Sequence, residues 1–248
     1  MALDNPNTVA LLHMDGADTS TTFTDESGKT WTAYNSAQID TAQSKFGGGS
    51  GLFVPASHSY LSTPDHADFN FGAGNFTFDT QIRFVALSAT QQTLFAQFTN
   101  ANYYWMWYIT NTAMHFKQNE AGLTIDLSFA CSLGTDTWYH LEIDRSGSSW
   151  YAFVEGTQIG STGTDDTALR DGGTAYKIST TDNFGEEVNG WLDEFRVSNV
   201  ARHTANFTAP TKAYGVPGVK TINRIAVANI KTWCGIDIAN IKSIQGLT

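Results

Sequence analysis

Asn189-Gly190-Trp191-Leu192-Asp193-Glu194-Phe195-Arg196-Val197-Ser198, closely followed by Ala201-Arg202-His203-Thr204-Ala205-Asn206-Phe207-Thr208-Ala209-Pro210, is the most informative stretch of this chain. It reads as a late β-strand with a short exit segment. Working backwards from it, Asn75 opens a run in which Phe76, Phe78, Thr80, Ile82 and Phe84 fall on one side and Thr77, Asp79, Gln81 and Arg83 on the other. A period of two marks a half-buried strand. Trp138–Arg145 and Trp150–Val154 form the next pair, joined by Ser146-Gly147-Ser148-Ser149, and Glu155-Gly156 turns the chain into Thr157–Ser161. Residues 7–16 give a first strand ending in an Asp-Gly turn. Many short strands with no long helical period predict an all-β, two-sheet antiparallel sandwich.

Bulk composition agrees. The 248 residues are 41% hydrophobic and 13% aromatic, ample for one large core, and only 15% charged. A formal net charge of −10 argues against phosphate-backbone binding, which needs clustered Lys and Arg, and against docking on anionic lipid. No apolar run reaches membrane-spanning length, and Met1-Ala2-Leu3-Asp4-Asn5-Pro6 lacks the basic and apolar regions of a signal peptide. Neither nucleic acid nor membrane insertion is expected. Cys131 and Cys234 show no metal or redox spacing and are expected as unpaired thiols.

Several signatures occur in a telling order. They are Leu11-Leu12-His13-Met14-Asp15-Gly16; Tyr60-Leu61-Ser62-Thr63-Pro64-Asp65 ahead of Asn75-Phe76-Thr77-Phe78; Trp138-Tyr139-His140-Leu141 leading to Val154-Glu155-Gly156-Thr157; and the closing Gly190–Val197. On these the chain resembles the laminin-G-like, concanavalin A-like jelly rolls from about Leu11 to Pro210. The resemblance implies a fold that binds or displays rather than catalyses. It also implies a structural Ca²⁺, a hard cation needing six to eight oxygens. Asp15, at the end of the first strand, and Asp193, on a closing strand expected beside it, are the favoured ligands, with Asp18 as a helper. An inward Asp193 needs a partner, since a bare buried carboxylate is costly. Besides calcium, Arg196 or the hydrogen bonds of a turn could supply it. The alternation lets only one of Asp193 and Glu194 point inward.

Residues 213–248 read as a separate unit after a jelly-roll domain spanning 1–212. Three eleven-residue units open at Tyr214, Ile225 and Ile236, with Ile225, Val227, Ile230, Ile236, Ile238 and Ile241 as the apolar positions of the second and third. A short repeat that cannot bury its own apolar side is expected to stack or to complete itself on another surface. The Ile-Ala-Asn-Ile-Lys style resembles repeats at the ends of bacteriophage structural proteins. That implies a virion location, attachment to other capsid or tail proteins, and a homo-oligomer.

Catalytic patterns are thin. A glycanase strand of the Glu-x-Asp-x-x-Glu kind is approached by Glu142-Ile143-Asp144-Arg145-Ser146-Gly147, but Gly147 stands where the last carboxylate belongs. Glu142 and Asp144 are therefore expected on a solvated outer face. The six histidines form no zinc motif. The best recognition candidate is Tyr103-Tyr104-Trp105-Met106-Trp107-Tyr108, with Tyr103, Trp105 and Trp107 on one strand face as the expected glycan- or partner-binding strip and Tyr104, Met106 and Tyr108 on the other. The sequence thus points to a non-enzymatic virion surface protein, either binding cell-surface glycans or serving as a purely structural decoration protein. A glycoside hydrolase is the weakest reading.

Overall fold

The computed structural model describes residues 6–181 and 185–215, together with the backbones of Thr232–Trp233 and Ile236–Asp237. The chain divides into two compact units, Met1–Tyr214 and Gly215–Thr248. In the second, β17 (Thr232–Trp233) pairs antiparallel with β18 (Ile236–Asp237). The apolar tail positions Ile225, Val227, Ile230, Ile238 and Ile241 lie outside the described residues, as does the side chain of Ile236.

The first unit is an antiparallel sandwich. One sheet runs β14 (Thr157–Thr164), β13 (Ser149–Val154), β12 (Trp138–Ser146), β7 (Phe76–Phe84), β16 (Gly190–Ser198), β5 (Ser50–Phe53) and β4 (Gln38–Asp40), with β1 (Thr8–Leu12) also pairing with β16. The first and closing strands are neighbours, as the sequence predicts. The second sheet runs β11 (Leu123–Ala130), β10 (Ala113–Glu120), β9 (Tyr103–Ile109), β8 (Gln92–Asn100), β15 (Tyr176–Ile178), β6 (Tyr60–Thr63), β3 (Thr30–Tyr34) and β2 (Thr22–Thr24). No helix among the described residues is long and apolar enough to cross a membrane.

Between the sheets lies an aromatic core. Phe76, Phe78, Ile82 and Phe84 of β7 are fully buried and meet Phe95, Trp105, Trp107 and Phe116 from the opposite layer. The Phe78 ring centroid lies 5.2 Å from that of Phe95 and 5.5 Å from that of Trp105. Burying each such ring is worth roughly 2–3 kcal/mol. This placement corrects the expected recognition strip. Trp105 and Trp107 are fully buried core residues, and Tyr103 is half-buried, with the Arg170 guanidinium 5.0 Å from its ring. Of the two aromatic faces on β9, the indoles fill the core because they bring the most apolar area.

A second correction concerns the closing strand. Against β7, Asp193 pairs with Gln81 and Arg196 with Asp79, so β16 carries one extra residue there. Glu194 takes a φ of +51° in this bulge. The bulge interrupts the alternation, and both Asp193 and Glu194 are buried. Glu194 Oε1 lies 2.7 Å from His13 Nδ1, and Oε2 accepts the Tyr214 N–H at 2.8 Å. Cys131 carries a free thiol, half-buried, and burial pushes its pKa up.

Candidate functional site

The outer face of the second sheet is built by the residues that alternate with its core. One row crosses all eight strands in register: Asp126, Lys117, Met106, Ala96, Lys177, Ser62, Thr32 and Thr22. Its centre, Met106 and Ala96, is a low floor. Beside it stand three stacked aromatic pairs. Phe98 and Tyr104 have centroids 5.7 Å apart, Tyr108 and His115 4.6 Å, and Tyr34 and Tyr60 4.6 Å. Lys177 Nζ lies 5.8 Å from the Tyr60 ring. Tyr104 and Tyr108, four residues apart on one strand, are separated by about 13 Å. Burial lowers the pKa of His115, so its ring is neutral at neutral pH. The result is a partly exposed aromatic platform flanked by two ammonium groups and several hydroxyls. Such a surface suits a ligand with apolar faces and hydroxyl edges.

The outer face of the first sheet is different. Asp79 (β7) stands opposite Glu142 (β12) on one side and Arg196 (β16) on the other. Asp144 follows two residues after Glu142 on the same face. Glu142 and Asp144 are fully buried, which corrects the expectation of a solvated face. What shuts them in is the exit segment, residues 199–214, which folds back as a strap. Arg202 N donates to Asp144 Oδ1 at 2.8 Å and His203 N to the same oxygen at 3.2 Å. Thr77 Oγ1 hydrogen-bonds Asp144 from β7. His203 Nδ1 lies 2.5 Å from Glu142 Oε1, and Tyr214 Oη donates to Asp79 Oδ1 and lies 3.0 Å from His140 Nε2. Under the strap remains a cavity of about 400 Å³ lined by Glu142, Arg196, Arg202, His203, Phe207 and Tyr214 among others.

Burial would raise the Asp79 pKa, but the Arg196 guanidinium, helped by His140 and Tyr214, holds it near about 2. Glu142 is pushed up by burial and by Asp79. Asp144 is pushed up by burial and by Glu142. Two groups, Asp79–His140–Glu142 and Glu142–Asp144–His203, bring three potential metal-ligating atoms within 4.8 Å of one another. In both, the imidazole nitrogen is already held by a neighbouring oxygen, Tyr214 Oη or Glu142 Oε1. In the second group that bond lies within the group itself, between two of its three members.

Asp15 and Asp193 do converge, on the 45–49 loop. Asp15 Oδ1 accepts the N–H of Gly48 (2.7 Å) and Gly49 (3.0 Å), while Asp193 Oδ2 accepts those of Lys45 (2.8 Å) and Phe46 (3.0 Å). The turn thus occupies Asp193 Oδ2, while Asp193 Oδ1 is buried without a hydrogen-bond partner. Arg196 is engaged by Asp79 instead. Asp18 accepts the Thr41 N–H from its own side of the loop.

Two eight-stranded antiparallel sheets around one aromatic core define a lectin-like jelly roll. The chain belongs to the concanavalin A-like lectin/glucanases superfamily, whose laminin-G-type family model matches residues 55–206, more than half of its length. Its fold is similar to the binding domain of Paraclostridial Mosquitocidal Protein 1 (14% identity, TM-score 0.64), covering 79% of this chain and 50% of that one. Domain 4 of AbnA, a GH43 extracellular arabinanase from Geobacillus stearothermophilus solved with arabinotriose, matches over 79% of this chain and 93% of that one (15% identity, TM-score 0.61). The receptor binding domain of botulinum neurotoxin D matches over 79% and 50% (13% identity, TM-score 0.56). The chain thus spans about half the length of the toxin domains. No curated protein matches it by sequence.

Proposed function

We propose that this chain is a non-catalytic glycan-binding jelly roll displayed on a virus particle, with residues 213–248 attaching it to other particle proteins and bringing copies together. The observation that carries the glycan reading is the outer face of the second sheet, where the Phe98–Tyr104 and Tyr108–His115 pairs flank the Met106–Ala96 floor and the Tyr34–Tyr60 pair lies further across on β3 and β6. Sugar rings present C–H faces to aromatic rings and hydroxyl edges to flanking lysines, serines and threonines. Support comes from the similar arabinanase domain, described in complex with arabinotriose, and from the similar fold of botulinum neurotoxin type C, whose cell entry is described as dependent upon interaction with two ganglioside molecules. The virion reading rests on the repeat style of the tail. The non-catalytic reading rests on the paired carboxylates, Glu142 and Asp144, being fully buried beneath the strap.

The test is a glycan array probed with the full chain and with the Tyr104→Ala and Tyr108→Ala variants. Binding should weaken about tenfold in each, the scale of one lost aromatic contact. Silence across host-surface and environmental glycans would favour a structural decoration protein without a ligand. Binding that both variants retain would move the site off this face.

A further inference from the structure

The buried network on the first sheet has an imbalance of charge. It holds three carboxylates, Asp79, Glu142 and Asp144, and two guanidiniums, Arg196 and Arg202. Burying an unmatched charge is expensive, and such sites gain a proton instead. The geometry says where the proton belongs. Glu142 Oε2 and Asp144 Oδ2 are both shut off from solvent and without a hydrogen-bond partner. They sit two residues apart on one strand face, so their side chains project side by side. A single proton between them satisfies both orphaned oxygens at once.

We propose that Glu142 and Asp144 share one proton at neutral pH, and that this proton locks the strap of residues 199–214 onto the first sheet. The lock works because Asp144 Oδ1 is the acceptor that holds Arg202 N and His203 N, while Glu142 Oε1 holds the His203 ring. When the proton leaves to solvent, two adjacent carboxylates carry full charge beside Asp79, and the strap must open to admit water. Several charged or titratable groups face the pair. They are Asp79 from β7, His140 from β12, Arg196 from β16, and Arg202, His203 and Tyr214 from the strap. Tyr151 of β13 stands opposite Asp144 in register. His203 does not supply the missing charge, because burial lowers its pKa and leaves it neutral. Burial raises the proton affinity of both carboxyls, Asp79 adds to it at Glu142, and Glu142 adds to it at Asp144.

The experiment uses the full chain, its Glu142→Gln variant and its Asp144→Asn variant, all checked for folding by circular dichroism. Infrared spectra at neutral pH should show the C=O stretch of an un-ionised carboxylic acid in the parent protein. Either amide should remove that band, because the remaining carboxyl then balances the two arginines and ionises, and leave only the weaker signal of the buried Asp193, whose pKa burial raises to about 7. Tryptic cutting at Arg202, normalised to an unstructured reference peptide, should rise in the parent at alkaline pH as the pair, its proton affinity raised by burial, gives up the shared proton. The rise should be about tenfold per pH unit, as release of one proton requires. Both amide variants should stay protected. The two variants act independently, so failure of one to fold leaves the other to decide. The idea is overturned if no protonated acid is seen in the parent, if its band survives both substitutions undiminished, or if strap cutting follows the same pH curve in parent and variants. Stabilisation of the strap by added divalent ions in place of the proton would overturn it too.

Discussion

Arg196 Nε and Asp79 Oδ2 lie 2.9 Å apart on neighbouring strands, with the Asp79 side chain wholly hidden from solvent. The guanidinium also stacks 3.7 Å from the centre of the Tyr214 ring, so one side chain ties the sheet to the strap. Removing one member of a buried pair leaves the other charge unmatched, at a cost of about 3–5 kcal/mol. Arg196→Met should therefore lower the urea midpoint severely, and Arg196→Met with Asp79→Leu should recover most of the loss. A single-variant loss below about 1 kcal/mol would place this pair among the weak surface bridges.

The strap docks on a turn that only glycine permits. Gly156 has φ +73°, and a Cβ there would lie 2.2 Å from the carbonyl oxygen of Phe207. In the native contact Phe207 N donates to Gly156 O at 2.9 Å, and the Phe207 ring stacks 3.5 Å from that of His203. Gly156→Ala should destabilise by about 1–3 kcal/mol from backbone strain alone and lift the 199–214 segment. Hydrogen exchange at Phe207 and Gln158, whose N–H groups anchor the segment, should quicken by an order of magnitude or more if the strap is displaced. An unchanged exchange pattern would refute the docking role.

The sandwich is legible in the sequence because β7 alternates cleanly and because the hairpin turns carry their own chemistry, as at Glu155-Gly156. Neighbouring β1 and β16 also follow from the resemblance of their motifs. The site is less legible for two reasons. On β9 both faces are aromatic, so period two separates Tyr103, Trp105 and Trp107 from Tyr104, Met106 and Tyr108 without saying which set faces water. The one usable signal is that a tyrosine tolerates a wet hydroxyl end better than an indole tolerates solvent. The strap network was missed because its partners are remote: Asp144 and Arg202 are joined across 58 residues. Asp79, Arg196, Arg202, His203 and Tyr214 each look like ordinary surface residues until the exit segment folds back. The bulge at Glu194, which breaks the alternation, has no glycine to announce it.

His13 offers a pH test. Burial opposes its protonation, but the hydrogen bond and charge of Glu194, with help from Glu26 and Asp15, outweigh it and raise the pKa above the ordinary 6.5. A raised folded value means the folded state holds the proton more tightly. The stabilisation is full below the unfolded value and disappears as pH rises through the folded one. His13→Gln should therefore lower the unfolding midpoint at mildly acidic pH and cost progressively less as the solution becomes alkaline. A deficit that is flat across that window, or that grows with pH, would mean the pair is held by a neutral hydrogen bond alone.

The two faces of β9 make opposite predictions that a pair of variants separates. Trp105 is fully buried and stacks against Phe78 and Phe116 at 5.5 and 5.9 Å. Trp105→Ala should open a cavity and cost about 3–5 kcal/mol, lowering thermal stability sharply. Tyr104 is half-buried on the outer face, with Phe98 as its ring neighbour. Tyr104→Ala should cost roughly 1 kcal/mol or less in stability while weakening glycan binding. Measured together by thermal unfolding and by binding to the best array hit, the variants should split cleanly, stability lost in one and affinity in the other. If Tyr104→Ala unfolds the protein as badly as Trp105→Ala does, the outer aromatic pairs are part of the structural skeleton. The ligand face must then be sought elsewhere on the jelly roll.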